Sequence, residues 1–163
     1  MVLLKFGRFN LNLSHSKIFN QIIMSDVKER TLVLIKPDAI QRGLMGEIIS
    51  RFEKKGLKLV GCKMMELEEA LLREHYAHIA DKPFFGGLAK FMQSTPVVAM
   101  CWEGLEVVNA VRLLCGITKA REAEAGSIRG DLAMSVACNV VHASDSIENA
   151  EAADKVFDTL MGS

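Results

Sequence analysis

Pro96-Val-Val-Ala-Met-Cys-Trp102 holds the longest unbroken apolar run in the chain, six residues from Val97 to Trp102. A run that short reads as a buried strand and falls far below the roughly 20 residues a membrane-spanning helix needs. Upstream, Thr31–Lys36 is a second apolar run, ended by the strand-and-turn signal Pro37-Asp38. Between the two runs, Met45, Ile48, Ile49 and Phe52 recur at helical spacing and Gly56 follows as a stop. Leu57–Met65 then reads as a strand. Leu71, Leu72, His75, Tyr76 and Ile79 mark an amphipathic helix broken before Pro83, and Gly87–Gln93 a shorter one.

Downstream of Trp102, the residues Leu105, Val108, Val111 and Cys115 define another helix, closed by Gly116. Ile117–Gly130 has weak periodicity and mixed charge and reads as a long excursion, a length of loop that is commonly functional. Leu132–Cys138 is expected as the last strand. From Asp145 a helix is expected, with Glu148 three residues on as in a capping box and Ala150, Val156, Phe157 and Leu160 on its face. The order β-α-β-α-β-α-β-α, two βαβ-like halves, predicts a four-stranded sheet covered by helices on one face.

Composition narrows the function classes. The 163 residues carry 20 basic and 20 acidic side chains, half are apolar and a quarter charged. Balanced charge argues against a nucleic-acid coat, which needs a surplus of Lys and Arg. With only 6% aromatic residues, an RNA-binding sheet is excluded as well. Cys62, Cys101, Cys115 and Cys138 are far apart in apolar sequence, form no metal-ligand spacing, and read as buried free thiols in a reducing, cytoplasmic compartment. Length suits one self-sufficient core.

The charge is unevenly spread. Lys5, Arg8 and Lys17 precede the first acidic residue, Asp26, so the first 25 residues carry +3. Residues 1–24 lack a sustained apolar stretch suited to secretion. Of the marks of an organelle-targeting peptide they show acid poverty but only one Arg and two Ser. They read either as such a peptide or as an extension without a fold of its own, with Met24 as the working start; residues 25–163 form the domain.

No G-x-x-x-x-G-K-[ST] or G-x-G-x-x-G phosphate cradle occurs. The most unusual segment is Asn139-Val-Val-His142-Ala-Ser144-Asp145-Ser146. It puts His142 at a strand edge near a helix N-terminus, where negative charge is favoured. A histidine after a strand is commonly a satisfied structural residue; the polar neighbours Asn139, Ser144 and Asp145 weigh toward chemistry. An ordinary imidazole, with its pKa near 6.5, is mostly neutral at pH 7 and is a nucleophile without special activation.

From Arg30 to about Phe157 the chain resembles nucleoside diphosphate kinases. The motifs are Lys36-Pro-Asp38, Gln41-Arg-Gly43, Gly46-Glu-Ile-Ile, Glu74-His-Tyr76, Pro83-Phe84-Phe85, Pro96-Val-Val-Ala-Met, Trp102-Glu-Gly104, Ile128-Arg129-Gly130-Asp131 and Asn139-x-x-His142-Ala-Ser144-Asp145. Nine in order are specific where any one would be weak. The resemblance implies an α/β, ferredoxin-like fold, a four-stranded antiparallel sheet covered by helices. It also implies ping-pong transfer of the terminal phosphate of a nucleoside triphosphate such as ATP or GTP to a nucleoside diphosphate, through a phosphohistidine at His142.

By the same match, Lys36 reaches the γ-phosphate and the sugar 3′-hydroxyl, and Arg112, Thr118 and Arg129 bind phosphate. Asn139 holds the ribose hydroxyls, and Tyr76 and Ser144 frame the histidine. The base is held between Phe84 and Val136, a stack that treats every base alike. Mg2+ is implied on the β- and γ-phosphates, with Asp145 contacting it through water or capping the helix. A homo-oligomer is implied, hexamers ahead of tetramers, with neither a membrane nor a nucleic acid as main partner.

The chain departs from the family pattern in three places. Ala143 stands where most members have Gly, and Thr118-Lys119-Ala120 stands where Thr-Asn-Pro is usual in a loop that packs subunits around a threefold axis. Ala153, flanked by Glu151 and Asp154, occupies the position of a Glu that orients the imidazole. The chain also reaches Ser163 without most of the C-terminal arm that many members use between subunits. The alternative reading is therefore an impaired homologue serving as a binding or scaffold subunit.

Overall fold

The computed structural model describes residues 28–77 and 79–144. The elements are β1 (Lys28–Ile35), α1 (Pro37–Gln41), α2 (Met45–Lys54), β2 (Lys58–Met65), α3 (Glu69–His75) and α4 (Phe85–Met92). They continue with β3 (Val97–Leu105), α5 (Val107–Cys115), a 3₁₀ turn (Ala120–Glu122), α6 (Ile128–Leu132) and β4 (Val141–Ala143). The strands form one sheet in the order β2-β3-β1-β4, antiparallel at every pairing. This is the ferredoxin-like α/β fold. The expected last helix, Asp145 and position 153 all lie outside the described residues, as does the extension over 1–24.

Two strand runs with unbroken burial explain the layering. In β1, residues Thr31–Ile35 are all buried, and in β3 Val97–Trp102 are all buried. Because side chains alternate across a pleat, such a strand needs cover on both faces. Val33, Ile35, Val98, Met100 and Trp102 pack on one face with Ile48 and Phe52 of α2, Val107 and Val111 of α5, and Ile128 of α6. Leu32, Leu34, Val97, Ala99 and Cys101 pack on the other with Leu72 of α3, Tyr76, and Phe85, Ala89 and Met92 of α4. Helices thus cover both faces, and the one-sided cover expected from the sequence is corrected by the same unbroken runs that predicted the strands. Phe52 and Trp102 anchor the first face, their ring centroids 5.1 Å apart.

The fourth strand is displaced from its expected place. Leu132–Cys138 does not pair with the sheet: Met134 and Val136 are 74% and 53% exposed, and α6 runs to Leu132. The free edge of β1 is taken instead by Val141–Ala143, with Val33 opposite Ala143, Leu34 opposite His142 and Ile35 opposite Val141. The alternation Leu132-x-Met134-x-Val136 imitates a strand, but only a segment with an available edge becomes one. The turn signal Pro37-Asp38 opens the short helix α1, with Pro at its first position, where its missing N–H costs nothing. Cys101 and Cys115 are buried free thiols as expected, whereas Cys62 and Cys138 are exposed.

The excursion after α5 is held by its own polar groups. Gly116 adopts φ 77, and a Cβ there would collide with the Ser127 side chain. Ser127 caps α6, its Oγ accepting from Gly130 N–H at 3.1 Å and donating to the Glu124 carbonyl at 2.6 Å. A Cβ at Gly130 would strike that same carbonyl, so the Arg129-Gly130 step tolerates only glycine. Arg51 of α2 ties the segment down through Asp131 at 2.6 Å.

Candidate active site

Among the described residues only seven polar or charged side chains are buried; four of them, Lys36, Asp38, Arg129 and Asn139, come together where β1 ends and β4 begins, and Ser144 follows at the far end of β4. Burying such groups away from a core cluster is costly unless their chemistry is needed, so their convergence marks a site.

Lys36 follows β1 directly on extended backbone, φ −78 and ψ 164. The pleat therefore puts its side chain on the face of Leu34, and Leu34 is the cross-strand neighbour of His142. Lys36 Nζ donates to Asn139 Oδ1 at 2.6 Å, and Asn139 Nδ2 donates to the Thr118 carbonyl at 3.2 Å. Burial, and then the charge of Arg129, lower the Lys36 pKa to about 8, a shift that Asp38 and Cys138 oppose. Arg129 lies across the same junction, donating from Nη1 to the Gly116 carbonyl at 2.6 Å and from Nη2 to the Val141 carbonyl at 2.8 Å. Its Nε is buried with no partner among the described residues. Burial holds the Arg129 pKa below its ordinary value; Cys115 counters this and Arg112 adds to it.

Arg129 therefore acts on Lys36 and feels the charge of Arg112, and none of the three forms an ion pair among the described residues. Three cations around a single buried carboxylate, Asp38, leave a net positive site suited to phosphate oxygens. Arg112 lies exposed on α5 with Thr118 exposed just beyond it.

His142 is half-buried in β4. Tyr76, at the end of α3, meets its ring edge-on with centroids 5.7 Å apart. Burial pushes the Tyr76 phenol up to about 12, so it remains a neutral donor at any working pH. Ser144 shares the His142 face two residues on, and its N–H extends the ladder to the Leu32 carbonyl at 3.3 Å. Phe84, at the N-cap of α4, is 59% exposed, like the half-exposed Val136. Both are large apolar groups that folding leaves in water.

Sequence reasoning gave Asp38 no role of its own. In the structure its Oδ2 accepts the Val140 N–H at 3.1 Å, immediately before β4. The only signal was its place in Lys36-Pro37-Asp38, two residues beyond the buried lysine.

Among the described residues no three His, Cys, Asp or Glu side chains gather as a metal cage. A cationic cluster of this kind fits a metal that arrives on phosphates rather than one resident on the protein. A separate groove of about 660 Å³ opens between α3 and α4. There Arg73 pairs with Glu69 at 2.9 Å and lies over the Phe85 ring, and the lining holds none of the buried polar groups that meet at the junction.

Residues 29–158 match the family model described as nucleoside diphosphate kinase. Human nucleoside diphosphate kinase A is 55% identical over 123 residues, 76% of this chain and 81% of that protein. A nucleoside diphosphate kinase of Parabacteroides distasonis is 54% identical over 129 residues, 79% of this chain and 84% of its own. Among solved structures, a halophilic nucleoside diphosphate kinase from Halobacterium salinarum in complex with CDP superposes with a TM-score of 0.74 at 48% identity. That match covers 77% of this chain and 86% of that one. The apo enzyme from Encephalitozoon cuniculi gives a TM-score of 0.77 at 43% identity over 79% and 88% of the two chains.

Proposed function

Because the chain belongs to the nucleoside diphosphate kinase family, and so moves the terminal phosphate of a nucleoside triphosphate onto a nucleoside diphosphate, we propose that His142 carries that phosphate between two half-reactions. The observation that supports this reading best is the position of His142. It is the half-buried residue of β4 on the face of Lys36, with a neutral tyrosine against its ring.

In the first half-reaction the lone pair of an imidazole nitrogen attacks the γ-phosphorus. An N–P bond forms as the bond to the β–γ bridging oxygen breaks, and the nucleoside diphosphate leaves. In the second, a terminal β-phosphate oxygen of the acceptor attacks the same phosphorus and the N–P bond breaks. Such transfer asks chiefly for alignment and for charge on the equatorial oxygens. Lys36 and Arg129 supply that charge from buried positions, and Arg112 and Thr118 bind the remaining phosphates. Asn139 takes the ribose hydroxyls, and Tyr76 and Ser144 hold the ring. Phe84 and Val136 clamp the base without reading its edges, which makes the enzyme broad in substrate.

Phosphoryl transfer between nucleotides generally needs a divalent cation; Mg2+ would arrive on the nucleotide's β- and γ-phosphates and would supply charge neutralisation there. Asp145 would contact it through water or serve as a helix cap. The working domain spans 25–163. It assembles as a homo-oligomer, a hexamer before a tetramer, and acts in the cytoplasm on nucleoside di- and triphosphates. Among the described residues no helix is long and apolar enough to cross a membrane.

Incubation with γ-labelled ATP and no acceptor is expected to label the chain at His142 in an acid-labile, alkali-stable form, and GDP, UDP and CDP should each discharge it. Label that survives His142→Ala overturns the assignment. A chain that takes no label is a binding or scaffold subunit instead.

A further inference from the structure

We propose that Asp38 is a positioning residue: its buried carboxylate holds a strained backbone turn at Val140 and so sets Asn139 and His142 against Lys36. The inference rests on the reading of His142 as the phosphoryl carrier.

Val140 has φ 63, and Val141 N–H donates back to the Asn139 carbonyl at 2.8 Å. A hydrogen bond that spans one residue at positive φ makes the rarer and more strained form of the γ-turn. A β-branched residue is poorly suited to that conformation, which persists only where the surroundings over-determine it. The surroundings here are a single short segment. Lys36 N–H donates to the Val140 carbonyl at 2.9 Å, and Asp38 Oδ2 accepts the Val140 N–H at 3.1 Å. Both backbone groups of the strained residue are thus held by Lys36-Pro37-Asp38. The Val140 side chain is fully buried in the core and gives the turn no room to shift.

The turn separates two site residues. On one side, Asn139 points its Oδ1 at Lys36 Nζ; on the other, Val141 and His142 enter the ladder with β1. The segment that carries the phosphate-binding lysine therefore also clamps the bend that delivers the nucleophile. A register error at Val140 moves Asn139 and His142 relative to Lys36, and misplacement by about 1 Å can cost on the order of 10²-fold in rate. Asp38 Oδ1 is buried with no partner among the described residues, so the carboxylate's direct hydrogen bond in this structure is the one to Val140.

The test uses the full chain and follows phosphoenzyme formation from ATP in transient-state experiments, which separate nucleotide affinity from the rate at saturation. Asp38→Ala is expected to lower the saturating rate about tenfold or more while the ATP dissociation constant changes less than about threefold, because base and phosphate contacts remain. Asp38→Asn keeps an acceptor for the Val140 N–H and should stay within about threefold of the unaltered rate. Amide exchange at Val140 should accelerate in Asp38→Ala but not in Asp38→Asn. If Asp38→Ala does not fold, Asp38→Ser replaces it, since the shorter hydroxyl does not reach the amide. An unchanged saturating rate in the Ala or Ser variant overturns the inference. So does a loss in Asp38→Asn as large as in that variant. Absence of label from the unaltered chain would instead overturn the His142 assignment on which the inference rests.

Discussion

The β1–β3 pair and the segment from Gly116 to Ser144 satisfy their backbones in opposite ways. Along β1 and β3, eight residues face eight in unbroken antiparallel register, and over the buried stretch from Leu32 to Ile35 the side chains have only to be apolar. From Gly116 onward the carbonyls of Gly116, Thr118, Leu132 and Val141 accept from the side chains of Arg129, Asn139, Arg42 and again Arg129. The first region is a scaffold whose side chains are interchangeable within their class. In the second, two side chains proposed to bind the nucleotide, Arg129 and Asn139, also hold the backbone. Function and local stability are separable in one region and fused in the other.

The largest effect should come from the scaffold. Phe52→Ala removes a fully buried ring from its contact with Trp102 and should destabilise by about 3–5 kcal/mol in denaturant titration. Phosphoryl transfer per folded molecule should be unchanged, and a loss there would break the separation. Arg129→Ala should do both kinds of damage. A fall of ~10²–10³ in rate is expected for a lost charge-stabilising donor. The two orphaned carbonyls should add about 1–3 kcal/mol of destabilisation each where they stay dry. A variant slowed to that degree but as stable as its parent would refute the fused role.

Lys36 offers a sharper comparison because its two effects have opposite sign. Its folded pKa, about 8, lies below the ordinary 10.5, so between those values the unfolded chain holds the extra proton and stability rises with pH. The gain across that window is on the order of 3 kcal/mol and should vanish in Lys36→Met. Nucleotide affinity should fall as pH rises through about 8, since the neutral amine no longer attracts phosphate. Parallel rather than opposed trends would contradict the burial of Lys36. The smallest effect is expected at the rim. Phe84→Ala should weaken every nucleotide by a similar ~1–3 kcal/mol with little change in stability, and loss confined to one base would contradict simple stacking.

Legibility followed the same division. The strands β1 and β3 were readable from unbroken apolar runs, because burial on both faces leaves a signal that depends on composition alone. The helices Met45–Lys54 and Val107–Cys115 were readable from 3.6-residue spacing and their glycine stops. The last strand was misread, since Leu132–Cys138 alternates as convincingly as many strands do. Nothing local says that α6 and Arg129 already commit the chain there, leaving the edge of β1 to Val141–Ala143. Asp38 was invisible for a related reason: a hydrogen bond to a backbone 102 positions away has no periodicity.

By itself the sequence determined the family and the sheet's central strands, because apolar periodicity and motif order are properties of the chain. Only the tertiary structure decided which segment pairs with β1 and that helices cover both faces. It also decided that Lys36, Arg129 and Asn139 are buried together, and that the backbone of a strained valine, Val140, is held by Lys36 and Asp38. Those outcomes depend on which edges and cavities remain once the core has packed, a competition among distant segments that no local stretch encodes.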